Sequence, residues 1–333
     1  MELPRMLNLI LNETVKIRSQ LSTYIMLTLL IGSVIAAGFI YQYNGQTTYA
    51  NGDWKAQLTQ QNKDLEKVLK KQNENDAVEK VLSQAPTGGV EIKDVIIKDI
   101  KTNNYRITHN LPPTEGRTLW GSVTQTSGLI ALVSLLAIII SAGIVAGEFL
   151  TGAIKLLLIR PLNRWKVLLA KYITVLIFTF SGLLILFSAS FLVGGLLYGF
   201  SSANQPYLSY INGNVTEVNM IRHIFTTYAY ACVNLLMMVT FAFMISTVFR
   251  NNALAVGTSI FLLFTGDVVV SLLSKYSWVK YVLFANTDLT QYARGVPIVA
   301  GMTMKFSLII LAAYFVFFIA TSFVFFSKRD VTQ

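Results

Sequence analysis

The sequence predicts an all-α integral membrane protein with six transmembrane helices. Of its 333 residues, 53% are hydrophobic and only 13% are charged, whereas soluble globular proteins carry about a quarter charged residues. The apolar residues form six long runs, each close to the roughly 20 residues that a helix needs to cross the hydrocarbon layer. These runs are continuous rather than alternating, which argues against a membrane β-barrel.

The predicted elements follow from these runs and from the segments between them. The six spans are residues 21–41, 128–146, 173–198, 224–249, 253–273 and 306–326, numbered one to six below. The remaining predicted elements are an amphipathic helix at 1–20, a domain at 42–127, a loop at 147–171, an aromatic segment at 274–305 and a tail at 327–333.

Charge predicts the orientation, because short cytoplasmic segments are enriched in Lys and Arg. The 147–171 loop has five bases against one acid: Lys155, Arg160, Arg164, Lys166 and Lys171. With six spans, this loop and both termini fall on one side, which we expect to be the cytoplasm. Bases in the 274–305 segment reduce the asymmetry. The net charge of +10 therefore indicates orientation and not nucleic-acid binding.

Two segments outside the spans have helical patterns. Residues 1–20 are amphipathic and are predicted to lie in the membrane interface. Residues 54–82 have helical spacing, predicted as two pieces broken near Asn73. Residues 90–100 fit either a strand or a short helix. The 42–127 domain is expected outside the cell, where it could cap the bundle, shape an exit path or bind a partner.

The 274–305 segment is too apolar for an ordinary exposed loop and too short to cross the membrane twice. It predicts short helices that dip into the outer leaflet, with Trp278, Tyr281 and Tyr292 at headgroup depth. Such a segment could close the outer end of a pathway.

No enzyme motif is present in the sequence. It has no HExxH zinc motif, no phosphate loop with GK[ST] and no nucleophile elbow, so we expect that the chain is not an enzyme and does not hydrolyse ATP. Its one cysteine, Cys232, and two distant histidines argue against a metal site. Asp267 is the one acid well inside a span. It could serve as a gate, an ion relay or a substrate contact, or as a structural polar contact.

Small residues at the ends of two spans predict helix packing. Gly143 and Gly147 form one GxxxG pair, and Gly195 and Gly199 form another. Such pairs allow helices to approach closely. We expect packing within the bundle, with a dimer face as the alternative.

The loop "GEFLTGAIKLLLIRPLNRWKVLLAKY" combines these charges with an apolar face. Leu156, Leu157 and Leu158 need a partner surface there, and the residue before Pro161 is disfavoured in a helix. We therefore expect a short amphipathic helix over 148–159. It could lie on anionic headgroups or dock into a soluble partner and transmit its motion, and physical chemistry alone leaves both readings open.

The same loop resembles the first cytoplasmic loop of permease subunits of bacterial ATP-binding-cassette exporters of the second type. The residues that carry the resemblance are Glu148, Thr151, Gly152, Leu156, Leu157, Pro161, Arg164 and Lys171. Thr-Gly stands here where Gly-Thr is commoner in that family. The six-span order, the amphipathic first helix and the short turn between spans four and five are similar as well.

The resemblance implies a multi-pass permease of the bacterial plasma membrane that works with two cytoplasmic ATPases and a second permease subunit, alike or different. The ATPases would bind ATP and magnesium, and this chain would bind no cofactor. The implied ATPase-docking residues are Glu148, Thr151, Gly152, Lys155, Leu156, Leu157, Leu158, Arg160, Pro161 and Arg164. Closure of the ATPases would move this helix and tilt spans two and three.

The apolar spans favour a hydrophobic or amphipathic cargo, such as a peptide antibiotic or a lipid-like compound, and contact with membrane lipid. Two alternatives remain. The chain could be a membrane sensor or scaffold that transports nothing, or a secondary transporter or channel. The latter usually has repeated halves and polar residues at the midplane, which this sequence lacks.

Overall fold

The computed structural model describes residues 3–44, 53–74, 92–113, 118–152, 163–200, 206–211, 213–294, 297–299 and 301–328. This part of the chain is mostly helical and includes six helices long and apolar enough to cross a membrane. The predicted number of spans is therefore confirmed. The predicted tail beyond Lys328 lies outside the described residues.

The spans are part of a longer series of elements. In chain order these are α1 (Leu3–Arg18), α2 (Leu21–Asn44), α3 (Trp54–Glu74), α4 (Ile92–His109), α5 (Leu119–Thr126), a 3-10 turn (Ser127–Leu129), α6 (Ile130–Leu150), α7 (Arg164–Tyr198), β1 (Tyr207–Ile211), β2 (Asn214–Val218), α8 (Met220–Phe249), α9 (Asn252–Leu273), a 3-10 turn (Ser277–Tyr281), α10 (Leu283–Thr287), α11 (Thr290–Arg294) and α12 (Met304–Lys328). Spans one to six correspond to α2, α5 with α6, α7, α8, α9 and α12.

Two spans are longer than the sequence predicts. Span two begins at Leu119, where the Thr118 hydroxyl caps α5 by accepting a hydrogen bond from the Gly121 N–H. Span three begins at Arg164, so residues 164–171 are helical rather than loop. Hydropathy identifies only the apolar centre of a helix, and these two helices continue through polar residues.

The second and fourth spans form the centre of the bundle. Their most apolar stretches are 67% and 56% buried, against 17–22% for spans one, five and six. The Ser246 hydroxyl donates to the Ala142 carbonyl and accepts from the Ala146 N–H, and Ser141 donates to the Val239 carbonyl. Lipid tails are as apolar as the helix surfaces, so the hydrophobic effect does not drive helices together inside a membrane. Hydrogen bonds between spans, such as these, contribute to their association instead.

One end of the bundle, which we call the terminal end, carries α1, the end of α6, the start of α7 and the end of α12. The opposite end, the distal end, carries α3, α4 and the β1–β2 hairpin. Helices α3 and α4 pack through Leu58 and Ile96, and the Asn62 amide donates to Asn104 and accepts from Asn103.

At the distal end, the structure decides between strand and helix for residues 90–100 and contains a β-hairpin that was not predicted. Helix α3 covers the first predicted piece of 54–82 and ends next to Asn73, while 75–91 lie outside the described residues. The stretch 90–100, which fitted a strand or a helix, contributes to helix α4. The antiparallel hairpin was not predicted, and Lys101 of α4 donates to the Gly213 carbonyl at its turn, where φ is +84°.

The predicted short helices between spans five and six are confirmed as a 3-10 turn, α10 and α11. The buried Asn286 amide organises them by donating to the Lys280 and Val282 carbonyls and accepting from the Ser307 hydroxyl. Trp278 and Tyr281 are exposed. Tyr292 instead shares a hydrogen bond with Ser307 and packs toward α12.

Candidate functional site

The candidate site lies at the terminal end, where the two flanks of the 147–171 loop meet α1. The structure describes Glu148 to Gly152 on one flank and Asn163 onward on the other. Six of the predicted docking residues fall outside the described residues: Lys155, Leu156, Leu157, Leu158, Arg160 and Pro161.

Helix α1 is attached to the bundle along one face. Ile17 is buried, and its carbonyl accepts a hydrogen bond of 2.6 Å from the Thr23 hydroxyl at the start of α2. Thr174 of α7 lies within 3.4 Å of the Ile10 carbonyl. Leu7, Leu11 and Val15 are exposed, so α1 also presents an apolar surface away from the bundle.

Four side chains form the polar centre of the site, and we call them the charge cluster: Glu13, Lys16, Glu148 and Lys171. The Lys171 Nζ atom lies 2.7 Å from Glu148 Oε1 and 2.9 Å from Glu13 Oε1. The Lys16 Nζ atom lies 2.5 Å from the same Glu148 oxygen. The cluster thereby joins α1 to the end of α6 and the start of α7, which are the two flanks of the loop.

Because the charge cluster is buried, replacing one of its side chains should destabilise the protein. The Lys171 side chain is completely buried, and Glu148 and Glu13 are 6% and 12% exposed. Taking charges out of water is costly, and attraction between partners offsets the cost only when the geometry is good. The two acids and two lysines balance in charge, so removing any one of them leaves a buried charge without full compensation.

Lys16 is the most exposed member, at 52%. Burial on its own would lower the pKa of Lys16, but the hydrogen bond and negative charge of Glu148, together with the charge of Glu13, raise it. Lys16 is therefore charged at neutral pH.

The described docking residues point in different directions. Glu148 is turned into the protein, toward α1 and α7, rather than out to a partner. The Thr151 hydroxyl lies 3.1 Å from the Gly147 carbonyl, and Gly152 has a φ of +70° just beyond the end of α6. The Arg164 guanidinium lies 3.5 Å from the Ser327 carbonyl at the end of α12.

The turn between spans four and five contacts the same region. Arg250 ends α8 in the left-handed conformation, with φ of 53°. Its guanidinium carbon lies 4.3 Å from the centre of the Phe149 ring, which is a favourable position for a cation over an aromatic face. Residues 148 and 149 at the end of α6 thus contact α1, α7 and the 250–252 turn.

The sequence pointed to Glu148 and Lys171 within one motif but did not predict that they pair with each other or with α1. A usable signal was present. An acid at the end of one span and a lysine at the start of the next face each other when the two helices are antiparallel neighbours, because neither side chain can remain unpaired near the hydrocarbon.

The four predicted packing glycines have different surroundings. A Cβ atom at Gly143 would meet only Asn252 Oδ1 at 3.9 Å, and one at Gly147 would meet nothing within 4 Å. A Cβ at Gly195 would collide with the Phe200 ring. Gly199 lies just past α7 with φ of +78° and ends that helix. Within the described chain, therefore, neither Gly143 nor Gly147 brings a neighbouring helix into close contact.

Asp267 lies in the distal half of α9 and is exposed, next to Gly266, which packs under the Phe284 ring. Among the described residues, no group of three or more His, Cys, Asp or Glu side chains could hold a metal ion.

Comparison with known proteins gives a family and two relatives. The family described as protein of unknown function (DUF2705) matches residues 92–332. The chain is 44% identical to the uncharacterized protein YhcI of Bacillus subtilis (strain 168), over 98% of this chain and all of that protein. It is 36% identical to the uncharacterized membrane protein YdbK of the same organism, over 63% of this chain and 82% of that protein. No solved structure matches.

Proposed function

Because the chain belongs to the family described as protein of unknown function (DUF2705), we propose its function from its own residues: it is the membrane-spanning permease subunit of an ATP-driven exporter. ATP would be hydrolysed by a separate cytoplasmic ATPase that carries the phosphate loop this chain lacks. A second permease subunit would complete the pathway. The cargo would be hydrophobic or amphipathic, in keeping with spans that carry few charges.

The proposed orientation places the terminal end in the cytoplasm and the distal end outside the cell. Helix α1 then lies in the inner membrane interface, with Leu7, Leu11 and Val15 against lipid and Ile17 against the bundle. The 42–127 domain, with α3 and α4, lies outside. The basic loop and both termini agree with the enrichment of Lys and Arg in cytoplasmic segments.

The observation that carries the proposal is the position of the charge cluster at the two ends of the docking loop. A partner that moves residues 153–162 would act on the ends of α6 and α7 together, because Glu148 and Lys171 are paired across them. The attachment of Lys16 to Glu148 would include α1 in the same movement. A partner can drive such a change only if it contacts the two states differently.

In this proposal the predicted roles divide between two groups of residues. Leu156, Leu157 and Leu158 contact the ATPase, while Glu148 acts inside the permease by holding α6 to α7 and α1. Glu148 is thus a positioning residue for the loop rather than a contact for the partner.

Affinity purification of the tagged full chain from its native membrane tests this assignment. We expect an ATPase with a GxxxxGK[ST] phosphate loop to copurify, and its ATP hydrolysis to rise when both are reconstituted together. Leu157→Asp should abolish copurification and stimulation, because the added carboxylate would have to be buried in the contact.

Val68→Asp is the matched control, because Val68 is an exposed apolar residue of α3 and its replacement should change neither result. Both variants must reach the membrane in wild-type amounts. Wild-type copurification of the Leu157→Asp variant would remove the docking assignment. Absence of any ATPase from the wild-type preparation would favour a sensor or secondary transporter instead.

A further inference from the structure

A cavity of about 360 Å³ lies at the terminal end beside the charge cluster. Its walls come from α1, the start of α2, the last three turns of α6 and the first residue of α9. Glu13, Lys16, Glu148 and Asn252 line it near the helix ends, and Met26, Ile140 and Ile144 line it deeper along the helices. Ile140 and Glu148 are eight residues apart on α6, or roughly 12 Å along the axis. The cavity is therefore polar at one end and apolar at the other.

Two glycines open this space. Gly143 and Gly147 line the cavity on α6, and a Cβ atom at either position would meet no close neighbour. Glycine within a helix is less favourable than alanine. These glycines lie where side chains would project into the cavity rather than where two helices touch.

Three residues that line the polar end have acceptor atoms without donors. Glu13 Oε2, Glu148 Oε2 and Asn252 Oδ1 are buried atoms with no hydrogen-bond partner among the described residues. Buried polar atoms in folded proteins almost always have a partner. The other oxygen of each glutamate already binds lysine, so the three free acceptors match a group rich in N–H donors.

The charges beside the cavity limit the class of ligand that it could bind. The two acids and two lysines of the charge cluster balance, so a free cation would meet the lysines and a free anion would meet the carboxylates. A zwitterion meets neither difficulty. Its ammonium group carries three N–H donors, which suit the carboxylate and amide oxygens of the lining residues. Its phosphate can bind Lys16, whose side chain is half-exposed and has N–H donors beyond the one given to Glu148.

We propose that this cavity is a binding site for one aminophospholipid of the phosphatidylethanolamine type. The ammonium group lies among Glu13, Glu148 and Asn252, the phosphate lies against Lys16, and the start of an acyl chain follows Met26 and Ile144 into the bundle. The occupant is held between α1 and α6 at the level where the helices leave the hydrocarbon. This site does not depend on the proposal of ATP-driven export.

The test is a lipid titration of the purified full chain in detergent. Short-chain phosphatidylethanolamine, phosphatidylcholine and phosphatidylglycerol are added separately, and the rise in melting temperature gives an apparent affinity for each. Methylation of the ammonium removes every N–H donor in phosphatidylcholine. We expect phosphatidylethanolamine to bind at least about tenfold more tightly than the other two, because more than one charge-assisted hydrogen bond is lost.

Gly143→Leu should remove this preference, because its side chain projects into the cavity. Gly32→Leu is the matched control: Gly32 lies on the exposed face of α2 with open space around it, and its replacement should leave the preference intact. Asn252→Ala removes one acceptor without filling the cavity, and should weaken phosphatidylethanolamine binding by roughly tenfold even if Gly143→Leu does not fold.

Three outcomes would overturn the site. Equal affinity for phosphatidylethanolamine and phosphatidylcholine would show that no N–H donor is recognised. Tightest binding of phosphatidylglycerol would assign the cavity to anionic lipid. An unchanged preference in Asn252→Ala, or in a folded Gly143→Leu, would place lipid binding elsewhere.

Discussion

Lys171 is the residue on which the terminal end depends. It is completely buried, lies near the start of the third span and contacts one acid from α1 and one from α6. A lysine in this position is tolerated because both carboxylates are close and because Lys16 balances the second acid. The cluster therefore joins α1, α6 and α7 in the arrangement that compensates all four charges.

Glu148→Gln should lower stability substantially. The substitution leaves Glu13 as the one carboxylate beside the buried Lys171 and removes the negative charge that faces Lys16, and breaking a buried pair in this way costs about 3–5 kcal/mol. Thermal unfolding of the purified protein in detergent measures the effect as a lower melting temperature.

Asp64→Asn is the control for this measurement, since Asp64 pairs with Lys67 on the exposed surface of α3, where such pairs contribute little. Its melting temperature should match that of the wild type. The double variant Glu148→Gln/Lys171→Met should be more stable than Glu148→Gln, because the uncompensated charge is gone. A Glu148→Gln variant that melts with the wild type would contradict the role given to the cluster.

At the scale of elements, α1 buries little side-chain surface against the bundle. Ile17 packs against the bundle, two hydroxyl groups contact α1 carbonyls, and Lys16 and Glu13 supply its ionic contacts. Elements with little buried surface are those that open at low cost. Helix α1 is thus well placed to move relative to α6 and α7 when the loop or the cavity beside it is occupied.

The attachment of α1 should weaken at alkaline pH. The pKa of Lys16 is raised in the folded protein, so its contribution to stability is complete below the ordinary lysine pKa and is lost as the pH rises through the raised value. The melting temperature of the wild type should fall across this range more than that of Lys16→Met. Lys63→Met, on the exposed face of α3, should fall as the wild type does. Parallel curves for wild type and Lys16→Met would rule out this coupling.

At the scale of the whole molecule, six spans place the two ends of the chain on one side. The terminal end then holds the charge cluster, the loop flanks, the 250–252 turn and Lys328, and the distal end holds α3, α4 and the hairpin. The central second and fourth spans join these ends, and the outer spans one, five and six leave apolar faces for lipid or for another subunit.

Cysteine labelling in intact cells should reveal the proposed orientation. In a Cys232→Ser background, Lys63→Cys on α3 should react with a membrane-impermeable maleimide, and Asn12→Cys on α1 should react only after the cells are permeabilised. Both positions are exposed on their helices, so access to the reagent and not burial decides the result. The reverse pattern would invert the orientation and place the 147–171 loop outside the cell.

The sequence by itself determined the class of protein and the number of spans, because burial in lipid requires long apolar runs that are visible without any tertiary contact. It also predicted that 92–100 are structured and that short helices precede span six. It began spans two and three too late, because helices α5 and α7 include polar residues such as Gln125 and Arg164, which hydropathy does not assign to a span.

Only the tertiary structure decided what the polar and small residues of the terminal end do. Glu13 lies more than a hundred residues before Glu148 and Lys171, and a sequence pattern cannot say which charges face each other until helices are packed. The same holds for Gly143 and Gly147, which match a packing motif in sequence but line a cavity in the fold. Spacing along one helix specifies a face, and the identity of the surface opposite that face depends on the other helices.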